Sequence, residues 1–307
     1  MGGVLKIIVL AIGLGALRAV AASITNVPSA DTSLIEIAPT NNNGAQAWFL
    51  AGKIQNDRYK NRALIKFDFT NLPSNALIES VALNVEVTRV PDEPPVNSTF
   101  GLRRMLRPWG EGDKAANPFA IPPEPPGQGR PATAGEATWL CAFFPTNEWS
   151  APGGAEGVDF SAVESSFEFI GGLGPYRFPS TPELVADVQD WIHDPQVNHG
   201  WMLLSNDEVT ILTARRFASR EDPDAHPTLE IEYTAVPVIE SARHANDQFQ
   251  LTFTAWPGQT CVVEYRDSLT QGSWQTLTNL ESTTVPTRYS ITDPPMNPQR
   301  FYRVVSF

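Results

Sequence analysis

Three carboxylates crowd one turn of this chain: Glu221, Asp222 and Asp224 flank Pro223, giving hard oxygen donors within four positions, the chemistry that calcium takes. There is no EF-hand loop around them. The competing reading is an acidic turn in which Glu221 or Asp222 pairs with Arg220. Nucleophilic chemistry is absent by pattern. No Gly-x-Ser-x-Gly elbow occurs, and neither Cys141 nor Cys261 sits in an activating context. The four histidines, His193, His199, His226 and His244, include no His-Glu-x-x-His and no close pair at metal spacing. Carboxylates are too many for an acid/base pair to be singled out, so a glycosidase or lyase stays without a named constellation.

Aromatic residues offer a second chemistry, since their faces stack on the apolar C–H surfaces of sugar rings. Among eight tryptophans, Trp191 and Trp201 read as core. Trp149, with Tyr176 and Phe178 that follow the loop of residues 171–175, is the preferred carbohydrate platform; burial in a core is the alternative for each. Arg103 and Arg107 fall on one face of an alternating segment and could join Arg104, Arg215 and Arg216 in a basic strip.

Those residues need a scaffold, and the sequence writes it mostly in period two. Residues 33–37, 48–54, 62–69, 78–88 and 99–106 alternate or run apolar as strands. In 78–88, Val81, Leu83, Val85 and Val87 take one face against Asn84, Glu86 and Thr88. Residues 110–133 dissolve into Pro, Gly and Ala, a long loop. One helix interrupts the strands: Ser180-Thr181-Pro182 caps it, and Leu184, Val185, Val188, Trp191 and Ile192 recur on one face until Asp194-Pro195. Residues 200–205 and 209–217 then return to strand, and Leu229, Ile231 and Tyr233 close the domain, opposite Glu230 and Glu232. Beyond Val236-Pro237 a smaller all-β unit follows, with strands at 249–253, 261–265, 274–277, 288–291 and 300–304, the spacing of a fibronectin or immunoglobulin sandwich.

The N-terminus has a targeting pattern. Lys6, the apolar run 7–17 and Ala19-Val20-Ala21-Ala22 form a signal peptide over residues 1–22, so the protein is expected to be secreted. The run falls short of the roughly 18 apolar residues of a membrane span. The domains expected are 23–235 and 236–307. The net charge of −12, concentrated in the first of these, disfavours nucleic acid and anionic lipid as partners. Two cysteines are too few for a disulfide framework; they read as buried small hydrophobes, with a bridge between them as the alternative.

Three stretches together carry a resemblance. Asn61-Arg62 through Asp68 with Leu72-Pro73 and the Val81 to Val85 strand, then Val185 to Trp191 leading to Gly200-Trp201, and finally Phe217-Ala-Ser-Arg-Glu221 with Pro227 to Tyr233, resemble the DNRLRE domain, also described as carbohydrate-binding module family 96. The resemblance covers residues 24–235. It implies a secreted jelly-roll β-sandwich, an accessory module beside polysaccharide-degrading enzymes, with some members taken to bind acidic polysaccharides. No catalytic residues come with it. The 110–133 and 140–174 segments are longer and richer in Pro and Gly than the family pattern. The C-terminal unit, with Cys261 to Tyr265, Trp274, Asp293 and Arg300 to Val304, is similar to the fibronectin type III-like domains that end secreted bacterial surface proteins, which implies a spacer or docking module.

The expectation is therefore an all-β protein: a jelly-roll sandwich with one short helix, then a small fibronectin-like sandwich. Its expected activity is non-catalytic polysaccharide binding by a monomer that requires no cofactor, structural calcium at Glu221, Asp222 and Asp224 being an open question. The alternatives are a surface or matrix adhesion protein that binds other proteins and a polysaccharide-active enzyme without a recognised motif.

Overall fold

The computed structural model describes residues 22–54, 59–117, 125, 127–235, 237–245, 248–294 and 299–306. The expected signal segment lies outside the described residues, except for Ala22, as do residues 118–124 and 126 of the expected long loop. The protein is an all-β sandwich protein with one short helix. It divides into two compact units, one of Thr25–Phe69 and Ser80–Ile231, the other of residues 22–24, Thr70–Glu79 and residues 232–306. The division falls inside the closing strand Thr228–Thr234.

In the larger unit the strands follow the order Leu77–Arg89, Arg215–Ala218, Trp48–Lys53, Lys60–Phe67, Trp201–Ser205, Ser98–Met105, Phe160–Ile170. Pro28–Ile35 also pairs with Lys60–Phe67, and Gly174–Phe178 with Leu77–Arg89. Trp48–Lys53 turns the corner between the two layers. Its residues Trp48 to Ala51 pair with Arg215–Ala218, whereas Gly52 and Lys53 pair with Asn61 and Lys60. Gly52 has a φ of +93°, and a Cβ there would lie 2.7 Å from Thr213 O, so the corner needs glycine twice over. Between the layers Phe217 stacks on Phe49 at 5.5 Å and meets Phe100 edge-on at 5.7 Å.

Every residue of Trp201–Ser205 is buried, which alternation alone would forbid for a strand with one wet face. The reason is a second core. Trp201 points toward the helix Pro182–His193, where Trp191 lies 4.6 Å away and Asp187 accepts the indole N–H at 2.8 Å. Met202 and Leu204 point the other way, join Leu34, Leu64 and Met105, and are covered by Ala137, Trp139, Ala142, Trp149 and Phe160. Residues 137–160 thus form a cover over the outer face of the layer. Arg62 ties the cover down by donating to Gly153 O and Gly154 O, both at 2.9 Å, under the rings of Trp139 and Phe160.

The sequence expectation of a strand over 209–217 is corrected: only Arg215–Ala218 is strand. Asp207 Oδ1 accepts the N–H groups of Val209 and Thr210 at 3.0 and 2.9 Å, and this side-chain turn competes with the ladder. Phe160–Ile170, a strand of 11 residues, falls in the stretch expected to be loop-rich. Bulges between Phe160 and Glu164 and between Glu164 and Ser166 break its alternation.

The smaller unit builds two three-stranded antiparallel sheets, Ile239–Ala245, Gln248–Ala255 and Thr287–Asp293 against Gln275–Leu280, Cys261–Arg266 and Phe301–Ser306. Their shared core holds Phe249, Leu251, Phe253, Cys261, Val263 and Tyr302, with Phe249 stacked on Tyr302 at 3.9 Å.

Candidate functional site

The cover stops before the end of the layer it shields. Beyond it the outward face of Phe160–Ile170 is left open at two large aromatics: Phe167 is 56% exposed and Phe169 59%. The register pairs Phe167 with Gly101 and Phe169 with Thr99, so both rings stand on one face of the sheet. Two residues apart on a strand, they are separated by about 6.6 Å along the chain.

Polar groups meet the rings at Gly101. A Cβ there would collide with Glu164 Oε1 and stand 2.9 Å from Asn206 Oδ1, so the missing side chain makes room for that pair. Glu164 Oε1 accepts from Asn206 Nδ2 at 2.9 Å and lies 3.7 Å from Arg103 Nη2. Arg103 also donates to Ala162 O across the bulge. The surface is therefore a shelf: two phenyl faces, a carboxylate, an amide and a guanidinium. It offers apolar stacking beside hydrogen-bond donors and acceptors, and it holds no nucleophile and no histidine.

Of the residues singled out from sequence, the structure brings only Arg103 to this shelf. Trp149 is 5% exposed; it belongs to the cover's core, with its indole N–H donated to Thr138 O at 2.8 Å. Phe178 is fully buried. Tyr176 is half-buried, its hydroxyl donating to Gly172 O at 3.1 Å and accepting from Gly171 N at 3.0 Å. The expected platform of these three is thus corrected: large aromatics next to Gly-rich loops anchor the loops here.

Nor is there a basic strip. Arg107 is occupied by buried Asp159 at 3.1 Å, Glu148 O and Asn147, above the Trp149 ring. Arg104 pairs with Asp190 at 2.8 Å and Asp187 at 3.4 Å over Trp191. Arg215 is buried, and its guanidinium donates to the backbone carbonyls of Gly171, Leu212, Thr213, Ala214 and Val96. Burial alone pulls its pKa down.

The acidic turn is divided among separate tasks. Glu221 Oε1 lies 2.9 Å from Arg220 Nε, and its other oxygen accepts from Ser219 Oγ at 3.0 Å. Asp222 Oδ1 accepts from the N–H groups of Asp224 and Ala225, both at 3.0 Å, closing its own turn. Arg220 also forks onto Glu111, at 2.6 and 3.1 Å, a partner not visible from sequence. Its N–H reaches buried Asp31 at 2.8 Å. Among the described residues no three His, Cys, Asp or Glu side chains are grouped to hold a metal ion. Burial pushes the Asp31 carboxyl well up, and the nearby carboxylates of Glu221 and Glu111 add to it against the Arg220 N–H.

Phe167, Phe169, Glu164 and Asn206 went unread in the sequence. The pair Phe-Glu-Phe at 167–169 is a period-two signal, but the bulges before it hide the strand in which it sits. No family model matches the chain, and no curated protein matches it.

Proposed function

We propose that the protein is a secreted, non-catalytic carbohydrate-binding protein whose shelf of Phe167 and Phe169 stacks on a glycan while Glu164, Asn206 and Arg103 hydrogen-bond its hydroxyls. The observation that carries this reading is the pair of exposed phenyl rings on one sheet face beside a hydrogen-bonded polar trio. An amphipathic ligand suits such a surface: a sugar ring has an apolar C–H face and a polar edge. The resemblance of residues 24–235 to carbohydrate-binding module family 96 supports the class of function, and the signal-like N-terminus supports export. The half-buried Glu164 carboxylate and the acidic molecule favour a neutral glycan over an anionic one.

Glycan-array and titration experiments with the purified protein test it. A neutral polysaccharide should bind with little dependence on salt, and the double variant Phe167→Ala/Phe169→Ala should bind at least about tenfold more weakly, the loss of roughly 1 kcal/mol per ring. Phe167→Tyr/Phe169→Tyr should retain binding. Absence of any polysaccharide binding at millimolar protein would overturn the proposal.

A protein-docking reading draws on the same edge strand, because Val163 on it and Leu173 in the turn that follows it are also exposed. It predicts that the alanine pair abolishes capture of a protein partner and leaves glycans unaffected.

A further inference from the structure

A cleft of about 560 Å³ opens elsewhere on the larger unit, and the shelf contributes nothing to it. Its lining is divided in chemistry. Ile37, Leu50, Ile54 and Leu212 give an apolar wall, while Arg89, Arg215 and Arg216 stand in it as cations, the guanidinium of Arg215 being taken up by backbone carbonyls.

Arg89 and Arg216 face each other in register across adjacent strands. Like charges directly opposite on a ladder repel and cost stability unless something neutralises them. Arg89 has a weak counter-ion in exposed Asp92 at 3.3 Å. Arg216 has none: its guanidinium lies 4.0 Å over the Trp48 ring, its buried Nε meets no acceptor, and no hydrogen bond or ion pair of that side chain occurs among the described residues. Burial and then the charge of Arg89 pull its pKa down, the sign of an uncompensated cation. A half-buried guanidinium without an oxygen partner is a costly arrangement in a free protein.

The wall beside it is strained. Leu212 has a φ of +66° and is the one non-glycine residue at positive φ among the described residues. Its carbonyl is pinned by Val96 N at 3.0 Å and by buried Arg215 at 3.4 Å, which hold it there. Strain of this kind gathers at ligand sites.

We propose that this cleft binds a small organic carboxylate, its oxygens on Arg216 and Arg89 and its apolar body against Leu50, Ile37, Ile54 and Leu212. The volume suits a ligand of that size rather than a chain. Guanidinium forks match the planar carboxylate. The exposed carboxylates of Asp92 and Glu93 line the same cleft and oppose a doubly charged phosphate more than a monoanion. The apolar wall rewards a hydrocarbon body over a hydroxylated one.

Calorimetric titration of the full-length protein tests the assignment with four probes: 2-naphthoate, 2-naphthamide, glucuronate and inorganic phosphate. Naphthoate should bind one to one and at least tenfold tighter than each of the other three. Arg216→Gln should bring naphthoate level with naphthamide. Arg89→Gln, at an exposed position that folding tolerates, should weaken naphthoate severalfold and leave naphthamide unchanged. Phe167→Ala/Phe169→Ala should not alter naphthoate binding, which separates this site from the proposed glycan shelf. The proposal is overturned if naphthoate does not bind at millimolar concentration, if naphthamide equals it, if either arginine variant leaves its affinity unchanged, or if glucuronate or phosphate binds more tightly.

Discussion

Asp31 and Asp159 are both buried carboxyls, and their partners drive them in opposite directions. Burial raises Asp31, and Glu221 and Glu111 beside it leave the single Arg220 N–H outweighed. The folded protein therefore holds a proton at Asp31 at a pH where the unfolded chain has released it, and stability falls as pH rises above about 4, the ordinary range for an aspartic acid. Asp31→Asn keeps an acceptor for the Arg220 N–H and removes the charge. Its melting temperature should exceed that of the parent at pH 7 to 8, with the difference closing toward pH 4; a variant less stable at every pH would refute the assignment. At Asp159 burial also pushes upward, but the N–H groups of Ala155 and Ser150, the Ser150 hydroxyl and Arg107 outweigh it and hold the carboxyl below its usual range. That stabilisation is present above the ordinary aspartic range and disappears as pH falls through the lowered value. Acid thus relieves Asp31 while it loosens the anchor of the 137–160 cover. The two cysteines are free and buried thiols, Cys261 being pushed by burial up to about 11.

At the scale of elements, what could be read from sequence was what depends on neighbours in the chain. The helix is the clearest case: Thr181 caps it, its Oγ1 accepting from Leu184 N at 3.0 Å, and Leu184, Val188, Trp191 and Ile192 form the buried face that their spacing foretold, whereas Val185 of the expected face is only half-buried and Asp187 is buried beside them. Thr181→Ala should cost about 1 kcal/mol, or roughly 2–4 °C in melting temperature for a unit of this size, and Thr181→Ser should recover most of it. An alanine variant that melts with the parent would show that the packing of Trp191, not the cap, fixes the helix start. The alternating stretch Leu77–Arg89 was equally legible, because inward Leu83, Val85 and Val87 are followed by Asn84, Glu86 and Thr88. Two elements were not. Asp207 folds its side chain onto the following N–H groups and removes half of an apparent strand. The bulges at Glu164 shift the phase of Phe160–Ile170, so that Phe167 and Phe169 look like stray aromatics until the register with Thr99 and Gly101 is known. The fate of the arginines was hidden for a different reason. Arg103 finds Glu164 and Arg107 finds Asp159, each more than fifty positions away, and no local pattern announces such a pairing.

For the molecule as a whole, the charge of −12 is a property of the surface and not of either candidate site. The shelf is mixed in charge, and the cleft carries three arginines within an acidic protein, so the two should respond differently to salt: glycan binding little, carboxylate binding more. No helix among the described residues is long and apolar enough to cross a membrane. Burial is distributed unequally within the larger unit. Trp201–Ser205 is sealed by the helix on one side and by the 137–160 cover on the other, whereas Phe160–Ile170 lies at the end of the strand order with its rings in water. Such a protein has no single resistance to opening. In native-state hydrogen exchange the amides of 201–205 and of 62–66 should be the last to take up deuterium, at rates that report global unfolding. Those of 160–170 should exchange through a shallower, local opening. Uniform rates across both strands would mean that the cover and the sandwich melt as one cooperative body. If they do not, the strand of the proposed shelf is free to breathe on a timescale of its own, while the memory of the fold is kept five residues deep in a strand that never sees solvent.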